Sequence, residues 1–535
     1  MNKMKKSAVV ALAALFAAMP LAGCNGESGK SREDTLKITI SNIGFGTNFI
    51  YAIADEFERM YDVDVVITPT VVAGDLISQL EADYVLDDLC MFGGVNGCWE
   101  MIRQQKFTNI DDIWNSVAET DEGTTTIAQK IIPEYADAYK MPDNHYYSMP
   151  WTVELNVLNY NKTTLDKYLG AGKWSLPRTT MELMDLAQEI KGKEQYAFTW
   201  SSKVPYWGGL EDVWTAQYDG FDTYSNYIKG YVYDETSQEY VVDTTAKTLN
   251  YKGRLRAYEM EYPFLHEKNG LTHKYATTME FAESQAAFVG IAYAAHQKAV
   301  AFTPSGNWVY EETIEDIEYT AQEINCMNAP IISALSEKLS YYNETVEYPN
   351  VSDANKAKYD AALCAIIDYV DGVTTTKPTE VEGLTITDAD ITRVEEARNI
   401  ARLKDQAHAF IPYNAVNPDL AKKFLKFFAS DYAGQLYSSV THGFSPYYVE
   451  YEATNSFLTA YDKSAAEIVK SASNIILEYS RTGFYISRPA VDEFFFDNNY
   501  VTLASFYQEK YKDKNTGTNN AGWLSRLQNA GLIKD

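Results

Sequence analysis

An apolar strand, a loop, an amphipathic helix and a second apolar strand follow one another in the first part of the chain. "LKITISNI" alternates as a strand, and "GFGTN" forms the loop. "FIYAIADEFERMY" then places Ile50, Ile53, Ala54 and Phe57 at helical spacing, before "DVDVVITPTV" extends again. Two strands joined through a helix can only lie parallel, so the chain must build an α/β layer structure around a parallel sheet. Gly44 and Gly46 suggest a dinucleotide fingerprint, but Phe49 stands at the third glycine position and rules it out.

A second stretch, "MPWTVELNVLNYNK", also reads as a strand. Val153, Leu155 and Val157 share one face with Trp151, which is expected to be packed, and Glu154 and Asn156 share the other. A carboxylate in such a strand needs water or a polar partner. The "TTMELMDLAQEI" segment predicts a helix opened by a capping box between Thr179 and Glu182. "NPDLAKKFLKFFASDYAG" predicts another, capped by Asn417, with Pro418 in its first turn and Gly434 at its end. Residues 303–405 read as a long, less regular surface excursion, with a Thr-rich turn segment, "TTTKPTEVEGLTITDAD".

The chain has 535 residues, too many for one core, which predicts two domains plus insertions. Its formal charge of -28 argues against nucleic acid. The 41 Tyr and 9 Trp are mostly filler, but flat rings with polar edges also suit sugars. "MNKMKK" followed by "SAVVALAALFAAMP" has the form of an export signal, too short to span as a mature helix. Cys90, Cys98, Cys326 and Cys364 read as buried thiols, with a Cys90–Cys98 bridge left open. His266 and His273 are separated by Gly270 and do not form a helical metal pair, and no hydrolase or phosphate-loop motif is present. No cofactor and no metal are expected.

"LAGC" resembles the bacterial lipoprotein signal. The resemblance implies that residues 1–23 are removed, that Cys24 is lipidated, and that residues 24–35 form a flexible tether. The longer pattern from "DNHYYSMPWTVELNVLNYNK" to "LPRTTMELMDLAQEI" carries Pro150, Tyr160, Asn161, Lys162 and Pro177. It resembles the carbohydrate-type extracellular solute-binding proteins of bacterial ABC importers, the maltose-binding-protein family. "EFAESQAAFVGIAYAAH" and "HAFIPYNAVNPDLAKKFLKFFASDYAG" resemble that family's later crossings, although Thr180 and Ser284 replace its usual Trp and Gly.

This resemblance implies a type II periplasmic-binding-protein-like fold: two α/β lobes joined by hinge-crossing strands, with the ligand between them. Lobe one is expected at 36–152 and 293–412, including the 303–405 insertion. Lobe two is expected at 153–292 and 413–490, followed by a helical tail at 491–535. The implied function is capture of a carbohydrate, an oligosaccharide rather than a monosaccharide. The receptor then delivers it, without chemistry, to an ABC permease. It is expected to be a monomer, lipid-anchored on the outer face of the cytoplasmic membrane. The alternatives are a peptide or polyamine receptor, or a surface-anchored glycoside hydrolase.

The resemblance puts Glu154 and Asn156 on the ligand side of the crossing strand, and Tyr206 and Trp207 in a ring-stacking run. Val204 replaces the acidic residue that precedes that run. Asn42, Phe45 and Asn48 occupy a loop at the carboxyl edge of the first sheet, where ligands of open α/β sheets bind, and Phe92 and Asn96 occupy the next such loop. Tyr293, Tyr485 and Arg488 complete the candidates. Trp214 shares a face with Leu210 and Val213 and is expected in the core.

Overall fold

The computed structural model describes residues 31–70, 87–93, 98–141, 143–204, 206–245, 247, 251–291, 298–404, 407–447 and 458–477, with isolated residues at 78–84 and 524–533. Cys24, Asn96, Tyr293, Tyr485 and Arg488 lie outside the described residues, as does nearly all of the expected tail.

The strands, in chain order, are β1 (Thr35–Ser41), β2 (Asp64–Thr70), β3 (Leu89–Phe92), β4 (Met149–Pro150) and β5 (Glu154–Asn161). They continue with β6 (Tyr231–Asp234), β7 (Glu239–Val242), β8 (Phe302–Gly306), β9 (Ile324–Met327) and β10 (Glu380–Val381). The last are β11 (Leu384–Thr385), β12 (Ile400–Lys404), β13 (His408–Phe410) and β14 (Asn474–Leu477). The first sheet runs β2-β1-β3-β13-β4, and its β1–β2 and β1–β3 pairs are parallel, as the strand–helix–strand pattern requires. In the second sheet β5 is central. It pairs β8 along one edge, and β12 and then β9 along the other, with β14 outside β12. The pairs β6–β7 and β10–β11 form separate hairpins.

One antiparallel ribbon joins the sheets. Met149 pairs Ala409 and Pro150 pairs His408 in the first, and Glu154 pairs Lys404 and Asn156 pairs Arg402 in the second. From Met149 to Asn156 and from Ala409 to Arg402 are equal steps, so the pairings on the two sides of the crossing share one register. Tyrosine hydroxyls satisfy the carbonyls there: Tyr135 donates to Lys404 (2.7 Å), Tyr139 to Ala407 (2.8 Å) and Tyr447 to Pro150 (2.5 Å). Val153, Leu155 and Val157 are buried in the core beneath the first sheet, as their alternation predicts, and Trp151 stacks on Phe49 at 5.8 Å.

The assignment of segments to lobes differs from the expectation. Strands β8, β9 and β12, placed by sequence in lobe one, belong to the second sheet, because β5 needs hydrogen-bond partners on both edges. Residues 413–447, expected in lobe two, instead pack on the first sheet's helix Asn48–Tyr61 through Phe424, Phe427, Phe428 and Tyr437. Residues 303–405 are a large part of the second lobe's core rather than a surface excursion. Helix Asp353–Val370, capped by Ser352, buries Tyr359, Leu363, Ile366 and Ile367 there.

The predicted helix at 417–434 is two helices, Pro418–Phe428 and Asp431–Thr441. Ser430 caps the second and Gly434 lies inside it. Asn417 does not cap; its side-chain amide donates to the Thr35 carbonyl at 2.8 Å. Thr179 caps helix Thr180–Lys191, but the Glu182 carboxylate takes the Arg178 N–H and guanidinium rather than closing the box. Cys90, Cys326 and Cys364 are buried free thiols, so Cys90 carries no bridge.

Candidate functional site

Glu154 ends the question its strand raises. It stands opposite Lys404 in the ladder, and its carboxylate lies 3.7 Å from the Lys404 ammonium. That ammonium sits 4.8 Å from the centre of the Trp308 ring and 5.0 Å from the centre of the Tyr206 ring. The two rings meet edge to face at 5.5 Å, and Phe281 backs Tyr206 at 5.1 Å. Tyr206 is half-buried at the start of helix Trp207–Asp219.

Trp308 is held where the two sheets meet. A Cβ on Gly306, the last residue of β8, would fall 1.9–2.2 Å from its ring. A Cβ on Gly44, in the loop after β1, would fall 2.7 Å from its Cβ and Cγ. Glycine at both places lets a large ring lie flat between the lobes. Asn307 splints the crossing strand beside it, accepting the Leu155 N–H at 2.9 Å and donating to the Val153 carbonyl at 3.2 Å. Glu312 follows one helical turn later and accepts from the Gln285 amide. Its carboxyl is held above the usual range, desolvation and Glu154 outweighing the Gln285 hydrogen bond and Lys404, although the residue as a whole is exposed. The cluster thus sets the half-buried Tyr206 ring beside the Trp308 ring, which is only 5% exposed, with two carboxyl groups and a carboxamide around them; where such rings are uncovered they can take the apolar face of a polar ligand while the polar groups bond its edges.

Several predicted site residues are elsewhere. Trp207 is completely buried, with its ring stacked on Phe264 (6.2 Å, 10°) and against Phe198, so it is a core residue and not a platform. Trp214 is in the same core, as expected, and donates to the Pro330 carbonyl at 2.9 Å. Asn156 is also corrected. Arg402, its partner in the ladder, donates to its side-chain oxygen and reaches Asp212 at 2.7 Å, making a buried structural network. Gly209 makes room for it, since a Cβ there would lie 3.0 Å from Asn156 Cβ. Phe92 is buried edge-on against Phe410 at 5.0 Å, and Phe45 is buried against Gly443. Asn42 and Asn48 are exposed at the carboxyl edge of the first sheet. Sequence reasoning missed Trp308, Lys404 and Glu312, all outside the segments first quoted. The only local signal was a tryptophan two residues after a strand-ending glycine in "SGNW".

Two α/β lobes, joined by strand pairs in one register with an aromatic and acidic cluster at the crossing, define a two-lobed solute-binding architecture. Residues 43–370 match the family described as bacterial extracellular solute-binding protein, and the chain belongs to that family. No curated protein matches it. Among solved structures it is similar to the bacterial solute receptor AcbH, described as having an exclusive preference for β-D-galactopyranose. That match has 13% identity and a TM-score of 0.53, over 89% of this chain and 97% of that one. It is also similar to RafE in complex with raffinose, at 13% identity and a TM-score of 0.53, over 87% and 95% of the two chains. The apo form of RafE from Streptococcus pneumoniae gives 13% and 0.54, over 90% and 97%. At that identity the likeness is one of fold.

Proposed function

We propose that this protein is the receptor of a bacterial ABC importer and that it captures a carbohydrate, with an oligosaccharide preferred, at the crossing between its lobes. The observation that carries the reading is the ring pair of Tyr206 and Trp308, bordered by Glu154, Glu312 and Gln285. Pyranose rings have apolar faces that stack on such rings, and hydroxyl edges that carboxylates and amides bond. AcbH and RafE, which share the fold, are described with galactopyranose and raffinose, and this supports a sugar. Asn42 and Asn48 are proposed to approach the ligand from the first lobe. So are Asn96, from its loop at the carboxyl edge of the sheet, and Tyr293, Tyr485 and Arg488, as the resemblance implies. The ligand binds better to the closed arrangement of lobes and shifts their equilibrium towards it, and the permease recognises that form. Cys24 is proposed to carry the lipid that holds the receptor at the outer face of the membrane.

Calorimetry of a glycan panel on the protein lacking residues 1–24 tests the reading. Micromolar binding of at least one glycan, recovered unchanged afterwards, is the expected result. Silence across the panel, or release of reducing ends, rejects it. One observation favours a second reading, a polyamine receptor: in this structure an ammonium already sits over both rings.

A further inference from the structure

Lys404 occupies the ring faces that the proposed function gives to the ligand. Its ammonium lies within 5.0 Å of both ring centres and 3.7 Å from Glu154, and its side chain is only 12% exposed. We propose that Lys404 is an internal competitor for the ligand, a specificity residue that a sugar must displace before it can stack. This rests on the sugar reading above.

Three features of the structure carry the inference. The placement is forced, because the ribbon register sets Lys404 opposite Glu154 and so on the same side of the sheet as the rings. The backbone is pinned independently of the side chain, since Tyr135 holds the Lys404 carbonyl at 2.7 Å, so the ammonium can leave without disturbing the ribbon. A further carboxyl group belongs to the cluster: Glu312 follows Trp308 by one helical turn and accepts from the Gln285 amide. A displaced ammonium therefore keeps Glu154 as its counter-charge rather than entering an apolar region. The consequence is selectivity. A solute that covers one ring leaves the ammonium on the other, whereas one spanning both rings removes it completely.

The test is calorimetry with raffinose and with D-galactose on the wild type, Lys404→Met, Lys404→Gln, Tyr206→Leu and the Lys404→Met/Tyr206→Leu double variant, with thermal melts to check folding. Lys404→Met is expected to bind the better sugar about fivefold tighter or more, the scale of a desolvated cation–ring contact. The gain should shrink to less than about twofold in the Tyr206→Leu background, where half the box is missing. If Lys404→Met does not fold, Lys404→Gln carries the comparison. Unchanged or weaker sugar binding in the folded variants overturns the proposal. Failure of the sugar reading looks different: neither sugar gives heat with any variant. Putrescine is then titrated. Binding to Lys404→Met but not to the wild type keeps the competitor role and changes the ligand class, and no binding to either overturns both.

Discussion

Glu154 and Lys404 face each other directly across the antiparallel ribbon that joins the two lobes, and their charges lie 3.7 Å apart beneath the rings of Tyr206 and Trp308. A carboxylate at this place has two tasks. It balances an ammonium that is largely withdrawn from water, and it offers an edge for hydroxyl groups. Glu154→Gln keeps the shape and removes the charge. Weakening of the best glycan by about tenfold is expected, the loss of one charge-assisted hydrogen bond. Calorimetry reads it, and unchanged affinity would remove Glu154 from the site.

Tyr206 and Trp207 are neighbours with opposite fates, and this separates binding from folding. Tyr206 is half-buried, and Trp207 is enclosed by Phe198 and Phe264. Tyr206→Leu should weaken the best glycan about tenfold or more with little change in urea stability. Trp207→Ala should lower unfolding free energy by about 3–5 kcal/mol, as for any large buried ring replaced by a methyl group. If Trp207→Ala stays folded and loses only ligand, the assignment of the two rings is reversed.

The same pair shows what the sequence could reveal. Periodicity marks Trp151 and Trp214 as core, and places Val153, Leu155 and Val157 inward, because burial of one face repeats with the local geometry. Glu154 is visible as an oddity for the same reason. Its partner is not, because the pairing with Lys404 depends on a register between segments 250 residues apart. Trp308 was hidden similarly, since its place depends on Gly44 from the other lobe. The helices at 418–441 were fused because Ser430 caps a new helix without Gly or Pro to mark the break. The assignment of segments to lobes failed because helix Asp353–Val370 and strands β8, β9 and β12 pack by long-range pairing, which composition does not encode.

Three buried or largely buried carboxyls predict an unusual pH dependence. Desolvation pushes Asp462 up to about 7, and Asp219 and Asp360 up to about 6. In the unfolded chain such groups ionise near 3.9. Between about pH 4 and 7 the native state therefore holds protons that the unfolded state has released, and stability falls as pH rises through that window. Carboxyls held low by their partners, Glu182, Glu337 and Asp390, act in the opposite sense and withdraw their support only at more acid pH. The urea midpoint should thus be higher at pH 5.5 than at pH 7.5. Asp462→Asn, which can still accept the Thr459 N–H, should flatten the upper part of the curve. A midpoint that rises between pH 5.5 and 7.5 contradicts the assignment.

The flat seating of Trp308 makes a strict demand on Gly306. An alanine there would put a methyl group 1.9–2.2 Å from the indole, far inside contact distance, and Gly306 ends a strand whose backbone has little freedom to move. The indole must leave, or the lobes must separate. Overpacking of this kind costs about 1–3 kcal/mol, and glycan binding should be lost with it, because one of the two ring faces is displaced. Trp308→Ala alone removes the ring and should cost about 3–5 kcal/mol. In the double variant the new methyl group enters space that the indole has vacated, so adding Gly306→Ala should then cost much less than it does alone. Urea unfolding of the four proteins in the cycle gives a coupling of about 1–3 kcal/mol if the ring lies over Gly306. Strict additivity would mean that it does not, and with it would go the argument that Trp308 is a shared surface between the lobes.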